Sequence, residues 1–308
     1  MRIVFMGTPD FAVPSLEGLI AGGHQVCGVF CQPDKPVGRH QNKLQAPPVK
    51  QAALAHDIPV FQPTTLRDGQ ALALLKELAP ELIVVAAYGR ILPEEILSLP
   101  PKGCINVHSS LLPKYRGAAP IHWAVIHGEE ETGVTIMHMA QELDAGDIIR
   151  QARTPIDPDE TVEQVHDRLA AMGGTLVVQV VEEIAAGTAP RIPQDSAQAT
   201  FAPMLSRALS PIDWNRPARE IHNQIRGLTP WPAASTDGLG GQTVKVYASC
   251  CPELTTGKAP GSIVAAGKDG IDVACGDGKV LRITELQAPG SRRMTAGDYL
   301  RGHPVEPD

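Results

Sequence analysis

Through the first half of the chain, short unbroken apolar runs at residues 3–6, 26–31, 82–87, 104–107 and 134–139 alternate with amphipathic stretches at 14–21, 48–56, 68–78 and 121–127. The runs are too short for helices and read as strands covered on both faces. The stretches between them read as helices, and Pro14 and Pro48 stand where a first helical turn tolerates proline. Strand–helix alternation of this kind predicts an α/β domain with a mostly parallel sheet and helices on both faces. A longer helix is predicted over 161–186, capped by Asp159 or Thr161 and ended by Gly187. The pair Gly173-Gly174 inside it predicts a close packing contact or a break.

The pattern weakens between 188 and 210, which reads as an extended linker. A helix is predicted at 217–226, followed by strands at 244–248, 262–266, 271–274 and 280–284, with Gly276-Asp277-Gly278 as a hairpin turn. Closely spaced strands without helices between them predict a small barrel. The expected organisation is an α/β domain at 1–188, a linker at 189–205 and a β-barrel domain at 206–308.

Composition narrows the function classes. Of 308 residues, 43% are hydrophobic and 20% charged, enough apolar material for a core and against disorder. Aromatics, at 4%, are too few for a broad stacking platform. The net charge of −7 lies in the first domain, since residues 206–308 hold 12 Lys+Arg against 11 Asp+Glu. That balance excludes a generic nucleic-acid coat but leaves room for an RNA substrate held by one local basic loop. No stretch reaches the roughly 20 apolar residues of a membrane span. The opening MRIVFMGTPDF reads as a buried first strand rather than a targeting segment, so a cytoplasmic location without membrane partners is expected. The six cysteines form no CxxC and no zinc spacing with histidine, and are expected to be reduced core thiols with no metal.

Chemistry concentrates at strand ends. Gly7-Thr8-Pro9-Asp10-Phe11 follows the first strand, but it lacks GxGxxG, and no acidic residue ends the second strand; a dinucleotide site is not expected. Asn106 and His108 are two residues apart at the end of an apolar strand, so their side chains share one face. Leu143-Asp144-Ala145-Gly146-Asp147-Ile148 follows the next strand and could bring Asp144 beside His108, where a carboxylate favours the protonated imidazole. Taken singly, these residues also fit a structural histidine and a capped turn. Together, an amide, an imidazole and a carboxylate suit transfer of an acyl group to an amine: two N–H groups receive the developing oxyanion and the carboxylate helps move the proton. No serine or cysteine nucleophile is required, and no GxSxG elbow is present. His122, His127 and His166 fall on predicted helices and read as surface or packing residues. His138 lies near enough to Asp144 in the pattern for a supporting role, and Trp214 and Trp231 read as core anchors of the second domain.

Several of these segments resemble the 10-formyltetrahydrofolate-dependent formyltransferases. They are Phe5-Met6-Gly7-Thr8-Pro9-Asp10-Phe11-Ala12, Asn106-Val107-His108 with Ser110-Leu111-Leu112-Pro113, Arg116-Gly117-Ala118-Ala119-Pro120-Ile121, Glu131-Thr132-Gly133-Val134-Thr135 and the Asp144 turn. Ile212-Asp213-Trp214, Ile225-Arg226 and Pro230-Trp231-Pro232 resemble the family's C-terminal domain. The resemblance implies a Rossmann-like catalytic domain followed by an OB-like barrel, and makes Asn106, His108 and Asp144 the catalytic set. It implies that Tyr88, Gly89, Ile91, Leu92, Ser110, Leu111, Leu112 and Pro113 line the folate site. It further implies that the loop carrying Lys35, Arg39 and Lys43 meets an RNA acceptor, with His40-Gln41-Asn42 replacing an often more basic run. The expected donor is 10-formyltetrahydrofolate, the expected acceptor the methionine amino group on initiator methionyl-tRNA, and the expected state a monomer. A nucleotide-linked amino sugar as acceptor, or a non-catalytic RNA- or folate-binding module, are the alternatives.

Overall fold

The computed structural model describes residues 1–38 and 40–308. The chain forms two compact units, one built from Met1–Gly117, Thr132–Thr154 and His166–Phe201, the other from Ala118–Glu131, Pro155–Val165 and Ala202–Asp308.

The first unit is organised around a seven-stranded sheet. From one edge to the other the strands are Ile148–Pro155, Glu131–His138, Cys104–His108, Leu82–Ala86, Arg2–Gly7, Gln25–Phe30 and Val60–Phe61. The run from Cys104–His108 to Val60–Phe61 is parallel. Glu131–His138 lies antiparallel beside Cys104–His108, pairing His108 with Thr135 and Asn106 with Met137. The predicted strands are all present; Ile148–Pro155 and Val60–Phe61, at the two edges, were not anticipated. The first carries Arg150, Gln151 and Arg153 among its apolar positions, and the second is only two residues long, so neither makes an apolar run.

Strand order reverses between Arg2–Gly7 and Leu82–Ala86. In open α/β sheets such a reversal leaves a crevice at the carboxyl ends of the two strands, because the connections on either side depart in opposite directions. Thr8 and Tyr88 stand just beyond those ends, and the Thr8 hydroxyl donates to the Tyr88 carbonyl at 3.0 Å. The core under one face holds Val4, Met6, Phe30, Leu75, Ile83, Val85 and Ile96. The helix Val162–Ala186 runs unbroken through Gly173-Gly174. A Cβ on Gly173 would lie 2.9 Å from Val107 Cγ1, and one on Gly174 would lie 2.6 Å from the Pro14 carbonyl oxygen. The glycine pair is therefore a close packing contact, not a break. By length and composition alone this helix could cross a membrane, which corrects the expectation that no segment reaches that size; half of the apolar window is buried inside the protein.

The second unit contains an antiparallel half-barrel sheet in the order Ala234–Leu239, Gln242–Cys250, Val280–Gln287, Gly270–Ala274, Ile263–Gly267, with Met294–Thr295 added beside Val280–Gln287. Helix Ala218–Leu228 sets Ala218, Ile221 and Ile225 into the core formed by Val244, Val246, Ile283, Leu286 and Tyr299. The strand Ala234–Leu239 and the helix Ala296–Gly302 were not predicted, since neither sequence shows an apolar period. Trp214 packs on this core and donates to the Thr236 hydroxyl at 3.0 Å. Trp231 does not: it is 51% exposed, correcting its assignment as a core anchor. All six cysteines are free. Burial pushes the Cys104 and Cys275 thiols up to about 12, which keeps them protonated.

His222, on the buried face of helix Ala218–Leu228, gives this unit an acid sensitivity. It is 3% exposed, with Nδ1 2.9 Å from the Ser249 hydroxyl and Nε2 3.0 Å from an Asp159 carboxylate oxygen. Burial, reinforced by Arg219, outweighs the attraction of Asp159 and lowers its pKa to about 4. An unfolded histidine takes its proton near 6.5, so the unfolded chain gains a proton first as pH falls. The stabilisation is complete above pH 6.5 and is lost progressively down to about 4, roughly 3 kcal/mol in all. Thermal melts between these values should show the H222Q variant with a flatter pH dependence than wild type. Parallel curves would contradict this account.

Candidate active site

The carboxyl end of Cys104–His108 carries the polar pair the sequence singled out. Asn106 and His108 lie on one side of the strand by alternation; His108 is buried and Asn106 half-buried. Among the described residues, no hydrogen-bond partner holds the Asn106 amide. Among the described residues, His108 is hydrogen-bonded at one nitrogen only. Its Nε2 lies 2.9 Å from the Tyr115 carbonyl oxygen, and a carbonyl can only accept, so Nε2 carries the hydrogen and donates. The other nitrogen, Nδ1, faces Asp144 with an N···O distance of 3.8 Å. That distance is ion-pair contact without a direct hydrogen bond.

Asp144 reaches this place through a tight turn. Its backbone is left-handed, with φ 52°, a region in which aspartate is tolerated better than most side chains. Gly146 lets the turn close against the neighbouring strand, since a Cβ there would fall on the His138 carbonyl oxygen. The Gly117 backbone N–H donates to Asp144 Oδ2 at 2.8 Å. The carboxylate is thus fixed by one neutral donor on one side and looks toward the imidazole on the other. An amide, an imidazole and a carboxylate around one point at a sheet rim can stabilise an oxyanion and move a proton. Among the described residues no group of three or more His, Cys, Asp and Glu side chains could hold a metal ion.

Comparison with known proteins gives this geometry a context. Residues 1–181 match the family model described as formyl transferase, and residues 204–304 match the formyl transferase C-terminal domain. The chain belongs to the formyl transferase family. It is 52% identical over 307 residues to a methionyl-tRNA formyltransferase of Moorella thermoacetica, covering all of this chain and 98% of the relative. It is also 52% identical over 306 residues to a methionyl-tRNA formyltransferase of Pelotomaculum thermopropionicum, covering 99% and 96%. Among solved structures, an N-formyltransferase from Helicobacter canadensis, in complex with folinic acid and dTDP-3-aminofucose, shares the fold at a TM-score of 0.69 and 20% identity, covering 92% of this chain and 98% of that one.

The segment after His108 in this formyltransferase is a fastened loop. The Ser110 hydroxyl donates to the Lys114 carbonyl at 2.6 Å, so it closes the turn on itself. The Thr135 hydroxyl donates to the Ser110 carbonyl at 2.6 Å and accepts the Leu112 N–H at 3.1 Å. Gln151 adds bonds to Thr135 Oγ1 and the Leu112 carbonyl. Leu112 is buried, while Leu111 and Pro113 are half-buried. On the neighbouring strand end, the Tyr88 and Leu92 side chains enter the core, whereas Gly89 is exposed and Ile91 is 70% exposed. The Tyr88 hydroxyl is buried and, among the described residues, has no hydrogen-bond partner; burial raises its pKa to about 12. His138 also stands by the Asp144 turn, through its backbone: its N–H donates to the Asp147 carbonyl at 2.9 Å.

Lys35 and Lys43 lie on a two-stranded hairpin, Lys35–Val37 against Lys43–Gln45, and its register puts both on one face. Arg39 lies outside the described residues. The stem is anchored where Lys50 pairs with Asp34 at 2.9 Å and Gln62 donates to the same carboxylate at 2.7 Å; these two contacts hold the Asp34 carboxyl below the usual range. Sequence reasoning missed Tyr115, whose carbonyl orients His108, and Thr135 and Gln151, which fasten the loop. It also missed Gln194, placed in the linker. Backbone acceptors leave no trace in side-chain identity. Gln194, in an extended stretch, and Gln151, on an edge strand, carry no local pattern that marks them.

Proposed function

We propose that this formyltransferase transfers the formyl group of 10-formyltetrahydrofolate to the α-amino group of methionine on initiator tRNA. The observation that carries this reading is the extent of the relatedness: identity to the Moorella methionyl-tRNA formyltransferase is 52% and runs through both matched segments, catalytic and C-terminal. The enzyme complexed with an amino-sugar nucleotide shares 20% identity and supports only the fold. In this reading residues 1–188 carry the chemistry, residues 206–308 hold tRNA through a junction at 189–205, and Lys35, Arg39 and Lys43 approach the acceptor end.

A folate donor supplies the formyl carbon. The strand end at 88–92 is read as one wall of its pocket, with Gly89 and Ile91 exposed and Tyr88 and Leu92 packed in the core; Leu111, Leu112 and Pro113, in the turn that Ser110 closes, are read as the other. A methionyl amino group has an ordinary pKa of about 7.7–8.0 and is partly neutral at physiological pH, so only modest base help is needed. The Asn106 amide and the protonated His108 Nδ1 donate to the formyl oxygen as the amine adds to the carbon. Asp144 receives the amine's proton directly or through one water; the tetrahedral adduct then collapses, the bond from the formyl carbon to the folate nitrogen breaks, and that proton is passed to the departing nitrogen as tetrahydrofolate leaves. With Nε2 fixed on Tyr115, Nδ1 is the nitrogen that serves the reaction.

The test compares charged initiator tRNA, charged elongator tRNA and a nucleotide-linked amino sugar as acceptors with the same donor. Formylation of the initiator, well above the other two, is the expected result. Transfer to the sugar alone would overturn the assignment.

A further inference from the structure

Gln194 lies between the two segments that match the family, in a stretch the sequence reads as linker. The structure uses every hydrogen-bonding site of its amide. Oε1 accepts from Arg116 Nε at 3.2 Å and from Arg116 Nη2 at 2.9 Å. Nε2 donates to the carbonyl oxygens of Asp144 and Gly146, both at 2.8 Å. The orientation of the amide is fixed by its partners, because a guanidinium can only donate and a carbonyl can only accept. Arg116 is 2% exposed, so the group that holds Gln194 is itself locked in the protein. Its neighbour Gly117 supplies the N–H that binds the Asp144 carboxylate. From one short segment, Gly117 holds the side chain of Asp144 and Arg116, through Gln194, holds its backbone; Arg116 also makes a longer ion pair, 3.7 Å, with the exposed Glu142 carboxylate at the start of the turn.

The backbone fastening matters because Asp144 sits in the left-handed region, which carries a cost for a non-glycine residue even where, as for aspartate, it is tolerated. Without the two carbonyl contacts, the turn can relax and swing the carboxylate away from His108. We propose that Gln194 is a positioning residue for formyl transfer, acting through Asp144 by holding the 144–146 turn. The inference rests on the reading of Asp144 as the group that handles the amine's proton.

The experiment measures steady-state formylation, donor binding and thermal unfolding of the full chain carrying Q194E or Q194L, each alone and combined with D144N. Glutamate keeps an acceptor for Arg116 but cannot donate to the carbonyls when ionised; leucine removes both functions. Misplacing a catalytic group by about 1 Å costs up to about 100-fold, so each single Gln194 variant should lose about 10- to 100-fold in kcat, with donor binding within about twofold. In the D144N background the same substitutions should change the residual rate by less than about twofold, since groups acting as a unit are not additive. A folded Q194E with near-normal kcat, or equal losses in both backgrounds, would overturn the inference. D144N with near-normal turnover would instead remove the reading of Asp144 on which it stands. If Q194L fails to fold, Q194E alone decides the question.

Discussion

Replacing Asp144 with asparagine is expected to lower kcat by about 10²- to 10⁴-fold, the range for loss of a positioned proton acceptor. The substitution is chosen because everything around it should survive. Asparagine is also tolerated in the left-handed region that Asp144 occupies at φ 52°. Its side-chain oxygen can still accept the Gly117 N–H that now reaches Oδ2 at 2.8 Å. The Gln194 contacts go to backbone carbonyls and do not depend on the side chain. What disappears is the negative charge 3.8 Å from His108 Nδ1. The effect should therefore fall on kcat, with KM for the folate donor and the unfolding midpoint little changed. A variant that turns over within about tenfold of wild type would show that the proton leaves by another route, since a positioned base is worth at least about 10².

The parts of this site that the sequence reveals are those where chemistry and pattern coincide. Asn106 and His108 end an apolar run, so alternation alone puts both on one face, and strand–helix alternation puts that face at a sheet rim. The Asp144 turn is visible because Gly146 marks it, and Gly146 proves necessary by its approach to His138. The rest is invisible for definite reasons. His108 is oriented by the carbonyl of Tyr115, a contact independent of the side chain at 115. Arg116 and Gln194 meet across 78 positions of sequence, and nothing local in either marks the encounter. Edge strands escape for a related reason: Ile148–Pro155 is only partly buried, so its arginines and glutamine interrupt the run that betrays a central strand. Trp231 is the opposite case: a large aromatic between prolines reads as a core residue, yet it lies at the surface.

Asn106 carries the second large expectation. Its amide has no hydrogen-bond partner among the described residues, although its strand neighbours are fully paired in the sheet. A polar side chain without a partner at a sheet rim, on the same face as His108, is placed to donate to a substrate oxygen. Losing one oxyanion donor costs about 10²–10³ in kcat, or roughly 2.7–4 kcal/mol, so N106A should fall by that amount. Aspartate is the sharper probe. It has the shape of asparagine but no N–H when ionised, and it sets a negative charge against an oxygen that becomes negative as the amine adds. N106D should therefore fall below N106A, although it fills the space better. If Asn106 served only to pack, the order would reverse, because alanine leaves a void and aspartate does not. The comparison is made on kcat at saturating donor with folded protein confirmed by thermal unfolding, and an N106D variant more active than N106A would exclude the amide as an oxyanion donor.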